Sequence, residues 1–370
     1  MRSTTGEHYV ALDHIRALAA LLVFAWHFLH GHQGSPVPFA DAPIWSPLVF
    51  FDEGHVGVAL FMTLSGYLFA KLLDGKNVSY PHFLWNRLLR LMPLLVFVML
   101  INSMLAAYEN HNLSAAYAYL LDMGQGLIYP TWPNGGWSIT VEWHFYLILP
   151  LLLMISRHSR QGLWLILIGA LLVRFAYHER FGEVQSMAYL TLMGRIDQFL
   201  LGIMAFQHRS SIIGRNKLAI LIALGFTTLY WWFDQSGGFF RQPSYPSPSR
   251  IWIILPTLEG LALAFFIAWY DGFNLSNRRP WSRFLGVIGE YSYSIYLLHF
   301  YFVFYLANWI HAHLLNLSHF YLALPVAILM FFSMLPISYL SMRFLERPFL
   351  NLRTSYVKTT SQDNLSAPAC

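Results

Sequence analysis

Ten stretches of about 20 mainly apolar residues recur along this 370-residue chain and constrain its fold more than any other feature. A helix of that length crosses the hydrocarbon core of a bilayer and satisfies its backbone hydrogen bonds internally. Hydrophobic residues make up 56% of the chain and charged residues 11%, whereas a soluble domain has about 25% charged residues. The sequence therefore predicts an all-α polytopic membrane protein and excludes a soluble enzyme, a disordered regulator and a nucleic-acid-binding protein. The predicted spans are residues 10–30, 54–73, 88–108, 138–156, 162–178, 187–207, 217–233, 251–270, 284–307 and 320–342.

The placement of positive charge predicts the orientation of these spans. If the N-terminus is cytoplasmic, 17 of the 23 Lys and Arg residues fall on the cytoplasmic side and three inside spans, leaving only Arg180, Arg241 and Arg250 in outer loops. Cytoplasmic loops of membrane proteins carry an excess of Lys and Arg. We therefore predict that both termini are cytoplasmic, with one transmembrane domain over residues 1–350 and a polar, disordered tail over 351–370.

Several ionisable residues fall inside the predicted spans. A charge there costs about 2.5–3.5 kcal/mol even on a lenient insertion scale, so each is a candidate functional residue. Asp13 and Arg16 are three residues apart on one helix face and can neutralise each other. Arg195 and Asp197 cannot face each other on a regular helix, so each requires a partner from another span. The full set is Asp13, Arg16, Glu142, Arg174, Arg195, Asp197, Glu259, Glu290 and His299.

His27 and Glu142 are predicted to lie at a similar depth near the outer membrane face. His27 is eleven residues beyond Arg16 on the outward-running first span, about 16 Å at 1.5 Å per residue. The fourth span runs inward, which places Glu142 near its outer end. A histidine beside a carboxylate is a general-base arrangement, because the carboxylate orients the ring and stabilises its charged form. An interfacial histidine without a chemical role fits the spacing equally well.

Arg87 and Arg90 begin the third predicted span at its cytoplasmic end. Arginines three residues apart share a helix face, and a helix N-terminus attracts anions. The pair is therefore a candidate phosphate clamp. Charge alone favours the simpler interpretation that both residues anchor the span on the cytoplasmic side.

The sequence contains no recognisable metal or nucleotide motif. The single cysteine is Cys370, and neither an HExxH pattern nor a Cys/His set occurs. His311, His313 and His319 are interpreted as solvated residues of an outer loop. There is also no P-loop and no GxGxxG pattern after a strand. The sequence therefore predicts no metal site.

Six motifs, in order and together covering residues 10 to 350, resemble the acyltransferase-3 family of integral membrane acyltransferases. Three positions beside the presumed site depart from the family pattern, and these departures bear on acceptor identity: His14 replaces Gly, Ala59 replaces Asp, and Trp143-His144 replaces Glu-Gln. The matching motifs are Arg16 with His27, Gly57-Val58 through Ser65-Gly66, Arg87 with Arg90, Trp137-Ser138 through Glu142 with Phe145-Tyr146, Arg195 with Asp197, and Tyr291 through His299.

The resemblance implies transfer of an acyl group, usually acetyl, from cytoplasmic acetyl-CoA to a hydroxyl of a cell-surface glycan or lipid-linked saccharide. It also implies a location in the inner membrane of a bacterium, where the protein contacts membrane lipid. Under it, His27 is the essential histidine, acting as a general base or through a transient acyl-histidine, and Glu142 orients His27 or helps to build the site. Arg16, Arg87 and Arg90 hold the CoA phosphates, and a Ser65-Gly66 turn supplies oxyanion donors. The supporting or substrate-contacting residues are Asp13, Ser65, Trp137, Ser138, Arg195, Asp197 and His299.

Two other interpretations remain open at this stage. The same fold could use a small-molecule acceptor or another acyl group, although outer-loop aromatics able to stack on sugars (Trp45, Trp132, Phe239 and Tyr245) favour a glycan. Alternatively, the chain could be a carrier or flippase for lipid-linked sugars. Transport requires neither an R-x-x-R clamp nor a histidine and a glutamate at one depth, and these features distinguish the two classes.

Overall fold

The computed structural model describes residues 9–31, 34–273, 275–276 and 278–358, and the structural statements below concern these residues. They are mainly helical, and most of the long helices coincide with the apolar stretches of the sequence. The helices of eleven or more residues are α1 (Val10–His30), α2 (Val56–Leu73), α3 (Tyr80–Glu109), α4 (Leu113–Gly124), α5 (Trp137–His158), α6 (Arg160–Phe181), α7 (Leu192–Gln207), α8 (Asn216–Gln235), α9 (Ile251–Asp271), α10 (Pro280–Leu298), α11 (Val303–His313) and α12 (Phe320–Ser341).

Shorter elements connect and extend these helices. An antiparallel pair of two-residue strands, β1 (Asn77–Val78) and β2 (Val357–Lys358), joins the α2–α3 connection to the C-terminal segment. The short α-helices are Val49–Asp52, Gln185–Leu190, Arg209–Ile212, Gly238–Arg241 and Arg347–Leu350; the 3₁₀ turns are Ser46–Leu48, Gln125–Leu127 and His299–Tyr301; Met342–Glu346 is a π-helix.

Seven of the described helices are long and apolar enough to cross a membrane. These are α1, α2, α3, α5, α6, α9 and α12, the last counted with the short helices that follow it. Helices α10 and α11 together form an eighth candidate span, bent by 55°. The chain is therefore an integral membrane protein of the polytopic helical type. The count of ten spans and the cytoplasmic placement of both termini stay predictions.

Two predicted spans are interrupted. The prediction of a continuous helix over 187–207 is wrong, because Thr191 is extended and separates Gln185–Leu190 from α7. The Thr191 hydroxyl accepts a hydrogen bond from the Gly194 N–H at 3.1 Å and so caps α7. The ninth predicted span, 284–307, leaves α-helical geometry at His299, where α10 gives way to a 3₁₀ turn.

Helices α1 and α2 form the centre of the bundle, since 78% of each apolar window is buried, against 28% for α6. Small residues allow the close packing around them. A Cβ on Gly202 of α7 would lie 2.1 Å from the carbonyl oxygen of Thr63, and one on Gly66 would lie 2.1 Å from that of Phe199. Glycine at these two positions therefore permits the backbones of α2 and α7 to touch, as small residues commonly do between membrane helices.

Buried ion pairs tie α6, α7 and α9 together. Nη2 of Arg174 lies 2.7 Å from Oδ2 of Asp197, and both side chains are fully buried. Arg195 lies 3.5 Å from Glu259, and the Thr257 hydroxyl joins the first pair at 2.5 Å from Asp197. The prediction that Arg195 and Asp197 take partners from other spans is confirmed.

Residues 351–358 are packed against the bundle. Tyr356 is 1% exposed, and Asn86 of α3 donates a 2.6 Å hydrogen bond to the carbonyl of Thr354. The domain boundary predicted at 351 therefore falls inside a packed segment. Residues 359–370 of the predicted tail lie outside the described residues.

Candidate active site

A cavity of about 210 Å³ lies between α1, α2, α3, α5, α10 and the C-terminal segment. At one end, Phe69 of α2 packs under the Arg87 guanidinium, 5.2 Å from its ring centroid. At the other end, Phe61 of the same helix packs against Tyr296, with 6.2 Å between ring centroids. Eight residues of helix separate Phe61 from Phe69, so the two ends are about 12 Å apart.

The first end of the cavity is cationic. Arg87, Arg90 and Arg353 line it together with Arg16. Burial, together with the nearby Arg87 and Arg90 charges, lowers the pKa of Arg353 below its ordinary value. Part of this shift comes from repulsion among the three guanidinium groups, and a cluster of like charges of this kind favours an anion.

Two of these arginines already have acidic partners. Nη1 of Arg90 lies 2.8 Å from Oε2 of the buried Glu346, and Arg16 pairs with Asp13, as the sequence predicts. Within the described part of the chain, Arg87 and Arg353 form no ion pair. These two cations are therefore the ones available to an anionic ligand.

The local structure around Arg87 and Arg90 differs from the predicted arrangement. Helix α3 begins at Tyr80, with Pro81 in its first turn, so the two arginines lie more than a turn inside the helix. The dipole effect is confined to the first turn. Side-chain charge, rather than a helix N-terminus, therefore makes this end of the cavity anion-binding.

Glu142 lies in the wall of the cavity and not beside His27. Its Oε1 accepts hydrogen bonds from Ser65 Oγ at 3.3 Å and from the Tyr146 hydroxyl. No hydrogen bond or ion pair links it to His27 among the described residues. The predicted His27–Glu142 pair is absent because the two helices present these side chains to different neighbours.

Ser65 also differs from its predicted setting. Ser65 and Gly66 lie within the continuous helix α2, so no turn exposes their N–H groups as oxyanion donors.

His27 pairs with His299 instead. Nδ1 of His27 lies 3.1 Å from Nε2 of His299 and 2.9 Å from the carbonyl oxygen of Val23. Nδ1 of His299 lies 3.1 Å from the carbonyl oxygen of Ile295. Because a carbonyl can only accept, these contacts assign the proton of each neutral ring to Nδ1. Nε2 of His27 then carries a lone pair that no described residue uses.

The histidine pair lies directly behind the second end of the cavity. The ring centroids of Tyr296 and His299 are 6.2 Å apart, and the Ser138 hydroxyl lies 2.9 Å from the Tyr296 hydroxyl. Phe300 covers both histidines, with centroids 4.7 Å from His27 and 4.5 Å from His299. The site therefore brings four groups together: His27, His299, whose Nε2 accepts from the Nδ1–H of His27, and the hydroxyls of Ser138 and Tyr296.

The other predicted site residues belong to a separate buried network. Trp137 packs on Tyr189, with 4.7 Å between centroids, and Arg195 stacks over Tyr189 at 4.4 Å. Neither Arg195 nor Asp197 lines the cavity. These residues contact the site only through the packing of α5 and α7.

Of the aromatics expected to stack on sugars, two are unavailable. Trp132 and Phe239 are buried, whereas Trp45 and Tyr245 are exposed. His14, one of the departures from the family pattern, is also buried and bonds Tyr270 and the carbonyl of Ser282.

Three features of the site were not predicted from the sequence. Arg353 was assigned to the polar tail, and its only signal was its positive charge just after the last span. The partnership of His299 with His27 had no signal in spacing, because 272 residues separate them. Tyr296, which stands between the cavity and the histidines, was noted only as part of a motif.

Comparison with known proteins identifies the family of the chain and one similar protein. A family model described as an acyltransferase domain matches residues 9–343. The chain is 28% identical over 273 residues to a protein of Komagataeibacter xylinus named "Putative membrane-bound transacylase BcsY". That match covers 66% of this chain and 65% of the relative, so the chain spans just under two thirds of the relative's length. No solved structure matches the chain.

Proposed function

Since the chain belongs to the acyltransferase-3 family, we propose that it is a membrane-bound O-acyltransferase that uses acetyl-CoA to acetylate a hydroxyl of a cell-surface glycan. A lipopolysaccharide O-antigen or a lipid-linked saccharide in a bacterial inner membrane is the acceptor class. One observation carries the proposal: a single cavity joins two arginines without acidic partners to the neighbourhood of the His27–His299 pair.

The cationic end suits the phosphates of CoA. Arg binds phosphate through parallel charge-assisted hydrogen bonds, and neither Arg87 nor Arg353 has an acidic partner among the described residues. The cavity volume of about 210 Å³ is below the roughly 300–1,000 Å³ of pockets that enclose a whole drug-sized ligand. It therefore suits the thin pantetheine arm, with the nucleotide held at the arginine end.

His27 acts as the general base in the proposed reaction. Its Nε2 takes the proton of the acceptor hydroxyl as that oxygen bonds to the thioester carbonyl carbon. The C–S bond then breaks, and the proton passes from His27 to the departing CoA thiolate. His299 stabilises the charged ring by accepting from its Nδ1–H. In the proposed reaction the hydroxyls of Ser138 and Tyr296, which bond each other and the Gly135 carbonyl in the resting structure, reorient to donate to the developing oxyanion.

A transient acyl-histidine is the mechanistic alternative, because the same Nε2 lone pair is a nucleophile. Acetyl transfer by ping-pong kinetics, with CoA released before the acceptor binds, would identify it.

The proposed binding of CoA phosphates at the cationic end of the cavity predicts a loss of donor binding in Arg87→Gln. We expect acetyl-CoA to bind about 10- to 100-fold more weakly, because a hydrogen bond to a charged group contributes about 1.5–3 kcal/mol. Calorimetry on detergent-purified protein measures this without knowledge of the acceptor. Arg343→Gln, which removes an exposed arginine that bonds only Tyr339, is the matched control.

Equal acetyl-CoA affinity in wild type, Arg87→Gln and Arg343→Gln would indicate that Arg87 only anchors its helix on the cytoplasmic side of the membrane. Absence of acetyl-CoA binding in the wild type would instead favour the carrier or flippase.

The proposed role of His299 predicts a rate effect without a binding effect. His299→Leu should lower kcat about 10- to 100-fold, because the His27 ring loses an acceptor for its charged form. His299→Gln, whose side-chain oxygen can still accept, should retain more activity than His299→Leu. Equal losses in the two variants, or a matching loss of acetyl-CoA affinity, would indicate a purely structural role.

A further inference from the structure

A second cluster of titratable side chains lies at the other end of α1 from the arginines. Asp52, Glu53 and Asp234 each present a carboxylate oxygen, and these oxygens lie within 4.8 Å of one another. The side chains are buried, with residue exposures of 3%, 5% and 4%. None of the three lines the cavity described above.

This cluster lacks sufficient positive charge from the protein. Nε2 of His30 lies 3.1 Å from Oδ1 of Asp52, but no Lys or Arg of the described residues pairs with any of the three carboxylates. Buried carboxylates this close cannot all ionise unless a cation compensates their charges; otherwise they share protons.

Buried polar atoms without partners point to a ligand at this place. Among the described residues, Oδ2 of Asp234 finds no hydrogen-bond partner. His55, which is 0% exposed, has none at either ring nitrogen, although its Nε2 lies 3.0 Å from Oε2 of Glu53 outside hydrogen-bond geometry. Buried polar groups are ordinarily satisfied, so atoms of this kind call for a specific explanation.

A small void adjoins two of the three carboxylates, those of Asp52 and Glu53. A cavity of about 10 Å³ is lined by His30, Asp52 and Glu53, among others. That volume is close to the smallest that holds a single water-sized sphere. One small ion fits there, and an organic ligand does not.

We propose that Asp52, Glu53 and Asp234 bind one hard divalent cation, of the Ca²⁺ or Mn²⁺ class. Such ions prefer carboxylate oxygens. Two oxygens on opposite sides of a Ca²⁺ ion are about 4.6–5.2 Å apart, given bonds of 2.3–2.6 Å. The three carboxylate oxygens, all within 4.8 Å of one another, are close enough to share one such ion.

Neighbouring groups hold the ligands in orientation. His30 contacts Oδ1 of Asp52, and the Phe239 N–H lies 3.1 and 3.2 Å from the two oxygens of Glu53. Partners of this kind orient metal-binding carboxylates and raise metal affinity. Trp26, the residue before His27, lines the same small cavity. The cation would therefore join the end of α8 to the loop before α2, beside the segment that carries His27.

Direct metal binding tests the proposal. Protein stripped with EDTA is titrated with Mn²⁺, and free Mn²⁺ is followed by electron paramagnetic resonance. We expect one Mn²⁺ per chain, displaced by Ca²⁺, and at least tenfold weaker binding in Asp234→Asn. Asp122→Asn, which alters an exposed carboxylate of α4, is the matched control and should bind as the wild type does.

The wild type alone provides a second measurement that does not depend on the folding of a variant. Because a ligand that binds only the native state stabilises it, Mn²⁺ should raise the Tm of stripped protein progressively with concentration. Any of three results would overturn the proposal: an unchanged Tm, no saturable Mn²⁺ binding, or equal binding by Asp234→Asn and wild type. The three carboxylates would then be neutralised by shared protons and not by a metal ion.

Discussion

Replacing His27 with Gln should lower the rate of acetyl transfer by about 10²- to 10⁴-fold, the usual contribution of a positioned general base. Gln has a similar size and retains a donor, but it cannot take up the acceptor's proton at neutral pH. Acetyl-CoA affinity should be close to that of the wild type, because His27 is absent from the wall of the arginine-lined cavity. Transfer of radiolabelled acetyl groups in membranes, with calorimetry for donor binding, measures both quantities.

His313→Gln is a suitable control for that experiment. Like His27, His313 is helical and its Nδ1 lies 3.0 Å from the carbonyl oxygen four residues earlier, that of Trp309. It is exposed and remote from the cavity, so its replacement should leave the transfer rate unchanged. A wild-type rate in His27→Gln would remove this residue from the chemistry and return it to an interfacial histidine.

Asp197→Asn should produce the largest loss of stability. Removal of one partner from a buried ion pair costs about 3–5 kcal/mol, because the other charge stays buried without compensation. Here the uncompensated group is Arg174, which is 0% exposed and lies 2.7 Å from Asp197. Thermal unfolding in detergent should show a clear fall in Tm.

The chain contains an exposed counterpart of this pair. Glu179 of α6 lies 3.2 Å from Arg250, and their side chains are 45% and 72% exposed. Exposed pairs contribute about 0–1 kcal/mol, so Glu179→Gln should leave the Tm almost unchanged. Equal changes of Tm in Asp197→Asn and Glu179→Gln would show that burial does not determine how much the Arg174–Asp197 pair contributes to stability.

The positions of the helices were largely predictable from the sequence. The apolar stretches at 10–30 and 251–270 match α1 and α9 within one residue at each end, because a bilayer span requires a fixed length of apolar helix. The break at Thr191 was missed, since local side-chain capping interrupts a mainly apolar stretch that contains no proline. The early start of α3 at Tyr80 was missed because its first turns are polar or aromatic and lie outside the apolar window.

The candidate site was predictable only in part. The sequence singled out the Asp13–Arg16 contact, which depends on residues three apart in one helix. It also identified His27 and Glu142 as residues of interest, yet it paired them on depth alone. Depth does not specify rotation about a helix axis, and rotation directs Glu142 to Ser65 and Tyr146 and His27 to His299.

The sequence by itself determined the membrane-embedded helical class and the family, because apolar length and local motifs are properties of consecutive residues. The tertiary structure decided which side chains meet: Arg353 with Arg87 at the cavity, His299 with His27 behind it, and Asp234 with Asp52. Each of these contacts joins positions far apart in the chain. Helix packing brings them together, and packing depends on the shape and rotation of whole helices, which no local spacing encodes.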